Sequence, residues 1–352
     1  MIVKIDFGSD FQLPNKNTLP WQNDLIEFIQ KWSDESINCF AVKSSGSTSL
    51  PKEIQFTRAD LLQSARRTNT FFKLSRHSVF LNCLPLNHIA GIMMTVRAIV
   101  AGGKLLYVKP SSNPLTELNA LTWNIDFAAF TPMQVFEILR NEETTKRFSS
   151  IRNIIIGGAK ISNELADNLA HCSNNIYETY GMTETVSHIA LRQIAPVFSN
   201  CFEVMDQVEI KSGASDNLLI HIAGKEWIET NDIISIIDSN KFIWRARMDD
   251  VINTGGEKVY MNEIESSLSN SIGFPFYITK VHDCKLGEKV AIVTDSDVRI
   301  EILKSILADT LSAFQRPRIF IQIKQIKKSS LGKMLRYFSD DEIIRSEDLS
   351  YS

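Results

Sequence analysis

A chain of 352 residues is long for one domain and natural for two. It is 44% hydrophobic and 22% charged, and its 38 Lys and Arg against 41 Asp and Glu leave a net charge of -3, which excludes the basic footprint of a nucleic-acid binder. The opening MIVKIDFGSDFQLPNK lacks the apolar run of a secretory leader, GIMMTVRAIVAGG is too short to span a bilayer, and five cysteines with no CxxC pair speak against a disulfide framework or a zinc ribbon. The expectation is a cytoplasmic globular protein with a small-molecule partner, no nucleic acid, no stable membrane insertion and room for a homo-oligomer.

From about residue 37 to 181, short apolar runs alternate with longer amphipathic ones. CFAVKS, SVFLNCLPL, KLLYVKP, DFAAFTP, IRNIIIGGA and NIYETYG read as strands. RADLLQSARRTNTFF, PMQVFEILRN and NELADNLAHC read as helices, the first capped by Thr57 with Asp60 three residues on. This alternation predicts an α/β domain with a largely parallel sheet, whose ligands sit on loops at the carboxyl ends of the strands. From about 190 to 246, the short runs FEVMDQVEIKSG, NLLIHIAG and DIISIIDSNKFIWRAR predict an antiparallel or barrel-like module. Beyond it, NEIESSLSNS and IEILKSILADTLSAF read as helices and VAIVTD and RIFIQIKQI as strands, giving a small α+β domain. The expected domains are 1–247 and 248–352, with a hinge near 247–256.

Five stretches carry candidate chemistry. SSGSTSLPK, Ser44 to Lys52, packs five hydroxyl residues, a glycine and a lysine into nine positions. N–H groups around Gly46 and the hydroxyls of Ser45, Ser47 and Thr48 can converge on phosphate oxygens, with Lys52 as a point charge; the alternative is a solvated turn. In YETYGMTE, Tyr180 could stack on a base and Glu184 hold Mg2+ near phosphates, against a turn with an exposed Glu. In ETNDIISI, Asp232 after a strand could accept both hydroxyls of a ribose, or be one of a common turn pair. In RARMDDVINTGGEKVYMNEIE, Arg247 could bond ribose or phosphate, and Gly255 and Gly256 permit unusual backbone angles. KKSSLGKMLR brings Lys333 and Arg336, or a solvated basic surface. Histidine pairs at metal-ligand spacing, a GxSxG elbow and a GxGxxG loop after a strand are absent from the sequence.

With LPLNHIAG at 84–91, these stretches stand in one order as SSGSTSLPK, YGMTE, TND, ARMDD…GG…EIE and GKMLR. Over about residues 37 to 337 the chain resembles the acyl-adenylate-forming (AMP-binding) superfamily of acyl-CoA synthetases, peptide-synthetase adenylation domains and luciferases. The resemblance implies an N-terminal domain of stacked α/β sheets that includes the β-rich module, and a small mobile C-terminal domain. Ser49, Glu53, Asn231 and Ala246 stand where the family usually has glycine. About forty residues precede the phosphate loop, so the first sheet is expected to be reduced. This short form most resembles the o-succinylbenzoate–CoA ligase branch of menaquinone biosynthesis.

The resemblance implies ATP, Mg2+ and coenzyme A. A carboxylate would attack the α-phosphorus of ATP, and a thiol would then attack the acyl-adenylate. Ser45, Gly46, Ser47, Thr48 and Lys52 would hold the β/γ phosphates, and Glu184 with Thr183 the Mg2+. Tyr180 and Gly181 would cover the adenine with Gly158 and Ala159 beneath it, and Asp232 and Arg247 would grip the ribose. Lys333 would bridge the carboxylate and the ribose oxygen, since two anions must approach each other. Asp249 matches the hinge, and Gly255 and Gly256 would line the channel for the pantetheine arm. His88 would close the acyl pocket; its alternative is a core histidine at a strand end.

A second carboxylate in the acid would need a buried cation or several donors. Arg97, on an otherwise apolar helix, is the candidate, the alternative being an arginine that snorkels out. Thr131 and Gln134 could add donors. Two rival functions remain at this level: transfer of the acyl group to a carrier-protein thiol or another nucleophile, and a nucleotide-binding relative without catalysis.

Overall fold

The structure, a computed structural model, describes residues 2–8, 19–43, 53–118, 124–327 and 336–351. The expected phosphate loop, with Ser45, Gly46, Ser47, Thr48 and Lys52, and the expected catalytic Lys333 lie outside the described residues. The chain divides into two compact units. The first comprises Met1–Ile210, Ile220–Trp227 and Ile237–Ile243, and the second Lys211–Leu219, Ile228–Ile236 and Trp244–Ser352.

The first unit begins with β1 (Ile2–Asp6), α1 (Pro20–Ser33), β2 (Cys39–Lys43), β3 (Glu53–Thr57) and α2 (Arg58–Phe71). It continues through β4 (Val79–Asn82), α3 (Ile89–Ala101), β5 (Lys104–Val108), β6 (Phe127–Phe130) and α4 (Pro132–Leu139). Then come α5 (Glu142–Ser149), β7 (Asn153–Ile156), α6 (Asn163–Ala170), β8 (Asn175–Met182), β9 (Ser187–Ala195) and β10 (Phe202–Val204). Strands β5, β4, β6, β7 and β8 lie side by side in that order and run parallel. Every residue of FAAF in β6 and NIII in β7 is buried, the near-continuous apolar run that a sheet covered on both faces demands. β1 closes one edge antiparallel to β5, and the other edge is extended by β9 antiparallel to β8 and by β10 antiparallel to β9. Phe80 and Phe127, both fully buried, meet edge to face across β4 and β6 with ring centroids 6.1 Å apart; burying each contributes about 1.5–3 kcal/mol.

Two helices of this unit bear on the site. α2 starts where expected: Thr57 Oγ1 accepts from Asp60 N at 3.2 Å and Asp60 Oδ2 accepts from Thr57 N at 2.9 Å. α3 follows β4 and ends on Gly102 in the left-handed region at φ 64. Gly91 is dictated by space, because a Cβ there would sit 2.2 Å from the carbonyl oxygen of Pro85. The helices are tied together by Asn69, whose Nδ2 donates to the Arg97 carbonyl at 2.9 Å.

Strands β11 (Val208–Ser212), β12 (Asn217–Ile222), β13 (Ile228–Asp238) and β14 (Lys241–Arg247) contribute residues to both units. In the second unit, β15 (Val251–Thr254) and β16 (Glu257–Tyr260) form a hairpin, followed by α7 (Met261–Leu268), β17 (Phe276–Asp283) and β18 (Gly287–Thr294). α8 (Ile300–Thr310), β19 (Ile319–Ile323) and β20 (Ile343–Asp348) complete it. Ile264 and Leu268 of α7 and Leu303 and Leu307 of α8 bury against Ile292 and Phe320 of the strands, a core of its own. Arg336, the last residue of GKMLR, binds Asp250 at 2.7 Å and Glu265 at 2.6 Å.

Two readings of the sequence are corrected. The segments flanking 44–52 are β2 and β3, paired antiparallel from Cys39↔Thr57 to Lys43↔Glu53 in a two-stranded sheet of their own, so CFAVKS is not a strand of the parallel sheet. Asp232 lies inside β13 rather than after a strand, and the turn alternative for its Asn-Asp pair is excluded because Asp232 is buried within extended backbone. Asn231 in β13 and Ala246 in β14 therefore occupy extended strand, where glycine has no conformational advantage.

Candidate active site

The parallel strands deliver four expected segments to one edge, the carboxyl ends of β4, β6, β7 and β8. Asn82, the last residue of β4, is fully buried. Its Nδ2 donates to the Gly91 carbonyl at 2.9 Å and Thr95 Oγ1 at 3.1 Å, and its Oδ1 accepts from Leu84 N at 3.0 Å. This fixes the loop and presents His88, exposed, at the N-cap of α3. A core histidine is thereby excluded. After β6, Thr131 caps α4: its Oγ1 accepts from Gln134 N at 3.2 Å and Gln134 Oε1 accepts from Thr131 N at 3.0 Å. Gln134 Nε2 donates to the Ser111 carbonyl at 3.0 Å, so both expected acid donors already organise this corner.

After β7 come Gly157, Gly158 and Ala159. A Cβ on Gly157 would lie 2.1 Å from Thr179 Oγ1, whereas Gly158, at φ 84, faces open space within 4 Å. Gly158 and the exposed Ala159 thus offer bare backbone to a flat ligand. Beyond Tyr180, Gly181 lets β8 approach β9 closely, since a Cβ would lie 2.4 Å from the Ser187 carbonyl oxygen. The turn that follows is built by Thr185, fully buried. Its Oγ1 accepts from Met182 N at 2.9 Å and donates to the Ser187 carbonyl at 2.7 Å. Thr183 is half-buried and Glu184 exposed at the tip. Tyr180 is half-buried, edge-on to Phe242 at 5.2 Å and to Phe202 at 5.8 Å. Beneath it, buried Glu178 pairs with Arg192 and accepts from Ile161 N at 3.0 Å, binding the β7 loop to β8.

Arg97 is 1% exposed. Its Nη2 donates to Ser187 Oγ at 3.1 Å and meets His188 Nδ1 at 3.4 Å, its Nη1 faces the Met94 sulfur at 3.6 Å, and its Nε has no hydrogen-bond partner. None of these neighbours is a carboxylate. Burial, with Arg67 nearby, pulls the guanidinium down to about 9, so it is still charged at neutral pH. Burial and the same two arginines hold His188 well below the usual histidine range, so its ring is neutral. His188 Nε2 lies 3.2 Å from Thr68 Oγ1. Because Arg97 can only donate, Nδ1 accepts and the ring proton sits on Nε2, passed toward Thr68 Oγ1, which donates to the Ser64 carbonyl at 3.3 Å.

In the second unit, Asp232 Oδ1 accepts from Trp244 Nε1 at 3.0 Å and from Arg247 Nη1 at 3.5 Å. Arg247 is exposed while Asp232 is buried, so the strand pair β13 and β14 sets a carboxylate between two donors. Asp249 is exposed in a short 3-10 turn, Met248–Asp250. Gly255 and Gly256, at φ 62 and 89, form the two-residue turn of the β15–β16 hairpin, a conformation that excludes most side chains. Among the described residues, no cluster of three His, Cys, Asp or Glu could hold a metal ion.

A family model described as AMP-binding enzyme matches residues 9–211. This chain belongs to the AMP-binding enzyme family. An acyl-CoA synthetase (AMP-forming)/AMP-acid ligase II-like protein from Dyadobacter fermentans superimposes with a TM-score of 0.67 at 29% identity, over 96% of this chain and 98% of that one. The 2-succinylbenzoate–CoA ligase of Staphylococcus epidermidis is 25% identical over 337 residues, covering 87% of this chain and 69% of the relative. The fold is shared by the O-succinylbenzoate coenzyme A synthetase of Bacillus subtilis solved with ATP and magnesium, at a TM-score of 0.67 and 19% identity over 84% of this chain and 68% of that one. The fold class expected from the sequence holds, and the names agree with the expected class, an AMP-forming acid–thiol ligase.

For this AMP-binding enzyme, four contributors escaped the sequence reading. Arg67 sits beside Arg66 in the helical stretch RADLLQSARRTNTFF with nothing to set it apart, yet Arg66 is exposed and Arg67 buried. His188 and Ser187 follow the recognised YGMTE segment without a pattern of their own. Trp244, an apolar strand residue in the sequence, is the donor that orients Asp232. Among the described residues, no helix is long and apolar enough to cross a membrane.

Proposed function

We propose that this protein joins a carboxylic acid to coenzyme A in two steps, and that the acid is 2-succinylbenzoate or a close dicarboxylate relative. In the first step a carboxylate oxygen bonds to the α-phosphorus of ATP and pyrophosphate leaves. In the second, the coenzyme A sulfur bonds to the acyl carbon, AMP leaves and the thiol proton is released. ATP with Mg2+ supplies the activated phosphorus. The chain's part is positioning and charge.

The residues fit these groups. Glu184 is exposed on a turn whose backbone Thr185 already satisfies, which leaves its carboxylate for a phosphate-bound cation. Gly158 and Ala159 offer an open floor for a base, with Tyr180 supported by two phenylalanines. Asp232, a buried carboxylate oriented by Trp244 and Arg247, would accept from ribose hydroxyls. His88 would close the acyl pocket, and Lys333 would bridge the two anions in the first step. Asp249 would serve as hinge, with Gly255 and Gly256 along the pantetheine path.

One observation carries the choice of acid. Arg97 is a buried guanidinium without a carboxylate partner, held at the start of β9 by Ser187 and His188. A spectator carboxylate in the acid completes it, whereas a fatty acid leaves it uncompensated. The named relative from Staphylococcus epidermidis supports the same acid. The test is thioester formation by purified protein with ATP, Mg2+ and coenzyme A, offering 2-succinylbenzoate, benzoate, a medium-chain fatty acid and an amino acid, with mass detection. A thioester from 2-succinylbenzoate alone is expected. A thioester from the fatty acid or benzoate instead overturns the choice of acid, and pyrophosphate release without thioester moves the acceptor to another nucleophile.

A further inference from the structure

We propose that Arg67 is a second specificity-determining residue of the acid site, holding with Arg97 the anionic group that lies away from the reacting carboxylate. The inference rests on the ligase reading above and adds a residue and a charge requirement to it. Arg67 lies on α2 and is 5% exposed, and its Nε and Nη1 have no hydrogen-bond partner. Two neighbours on α2 fix where that face of the helix points. Ser64 Oγ donates to the Val186 carbonyl at 2.6 Å, and Thr68 Oγ1 meets His188 Nε2 at 3.2 Å. Both contacts fall at the start of β9, where Arg97 also ends, on Ser187 and His188. Arg67, three residues on from Ser64, is its neighbour on the helix surface, and the Arg67 charge acts on both Arg97 and His188 at that corner of the first unit.

Two buried guanidiniums near one another repel, and each has donors unused. A carboxylate offers about four lone-pair sites and takes two guanidiniums readily. His188, neutral and already bonded through both ring nitrogens, adds no competing charge. The arrangement suits a distal carboxylate and penalises an acid whose far end is apolar, because Arg97 would then stay buried without an anion and Arg67 with only the attraction of Asp206. The rival role for Arg67 is attraction to Asp206, which borders the same surface groove.

The experiment compares wild type with Arg67→Gln, Arg67→Lys and Asp206→Asn in the full chain. Acids are 2-succinylbenzoate and two monoacids that each lack one carboxylate, 4-oxo-4-phenylbutanoate and 2-butanoylbenzoate. For R67Q the KM for 2-succinylbenzoate should rise about 10- to 100-fold, the loss of a charge-assisted contact, with kcat and the KM for ATP little changed. The wild-type preference for the dicarboxylate over the monoacids should shrink by the same factor, R67K should recover part of it, and D206N should behave as wild type. An unchanged KM in R67Q, an equal rise for the monoacids, or the same effect in D206N overturns the proposal. If R67Q does not fold, R67K and D206N decide by the same comparison. If wild type makes no thioester, the ligase reading fails, and calorimetric binding of 2-succinylbenzoate to wild type and R67Q then tests Arg67 alone, with weaker binding to R67Q expected and equal binding overturning it. Wild type that turns over a monoacid as well as the dicarboxylate leaves the ligase standing and overturns this inference.

Discussion

Replacing Arg97 with methionine separates stability from function. The substitution keeps a long flexible side chain but removes the charge. Burial lowers the Arg97 pKa from 12.5 to about 9, and at about 1.4 kcal/mol per pH unit this is roughly 5 kcal/mol of unfavourable charge burial in the ligand-free protein. The lost contacts to Ser187 and His188, each about 0.5–1.5 kcal/mol or somewhat more for a charged donor, offset part of it, so R97M should be more stable than wild type by about 1–4 kcal/mol. The same change deprives a bound spectator carboxylate of its cation, at about 2–5 kcal/mol, or roughly 30- to several thousand-fold in kcat/KM for the dicarboxylate. Urea unfolding without ligand reads the first effect, and steady-state kinetics with 2-succinylbenzoate and a monoacid read the second. R97M that is less stable than wild type and keeps its acid preference would refute the reasoning and make Arg97 a scaffold residue.

Other outcomes follow from single contacts. The folded state keeps His188 neutral while the unfolded chain protonates it below about pH 6.5, so the unfolded state binds more protons and stability falls as pH drops, by up to about 1.4 kcal/mol per pH unit. H188Q should flatten that slope in urea titrations between about pH 5 and 8. T185V removes the hydroxyl that satisfies Met182 N and should cost about 1–3 kcal/mol of stability, while slowing pyrophosphate release more than it raises the KM for the acid. G157A forces a Cβ against Thr179 and should cost about 1–3 kcal/mol in thermal unfolding, where G158A meets open space and pays only for its left-handed backbone, about 1–2 kcal/mol. W244F takes one donor from Asp232 and should raise the KM for ATP a few-fold without changing acid preference.

What the sequence made legible was local. The apolar runs of β4 to β8 and the Thr57 cap can be read because burial on both faces and a capping box leave short-range patterns. The YGMTE turn could be placed at a strand end for the same reason. What could not be read depends on pairing across long separations. Arg67 and Arg66 look alike in sequence, and only the packing of α2 against the start of β9 makes one buried and the other exposed. The sequence leaves Asp232 open between a carboxylate after a strand and a turn pair, because Asn-Asp favours turns; tertiary pairing overrides that propensity and sets it inside β13. Thr131 illustrates the reverse, since its hydroxyl is engaged by Gln134 in a local box that TPMQ already contains.

The central claim is that this chain activates an acid by adenylation and demands a second negative charge in it. Acid-dependent exchange of labelled pyrophosphate into ATP, measured on purified protein without coenzyme A, tests it most directly. Exchange with 2-succinylbenzoate, and little with either monoacid, is the predicted result. Exchange with no acid at all, or equal exchange with mono- and dicarboxylates, would contradict it.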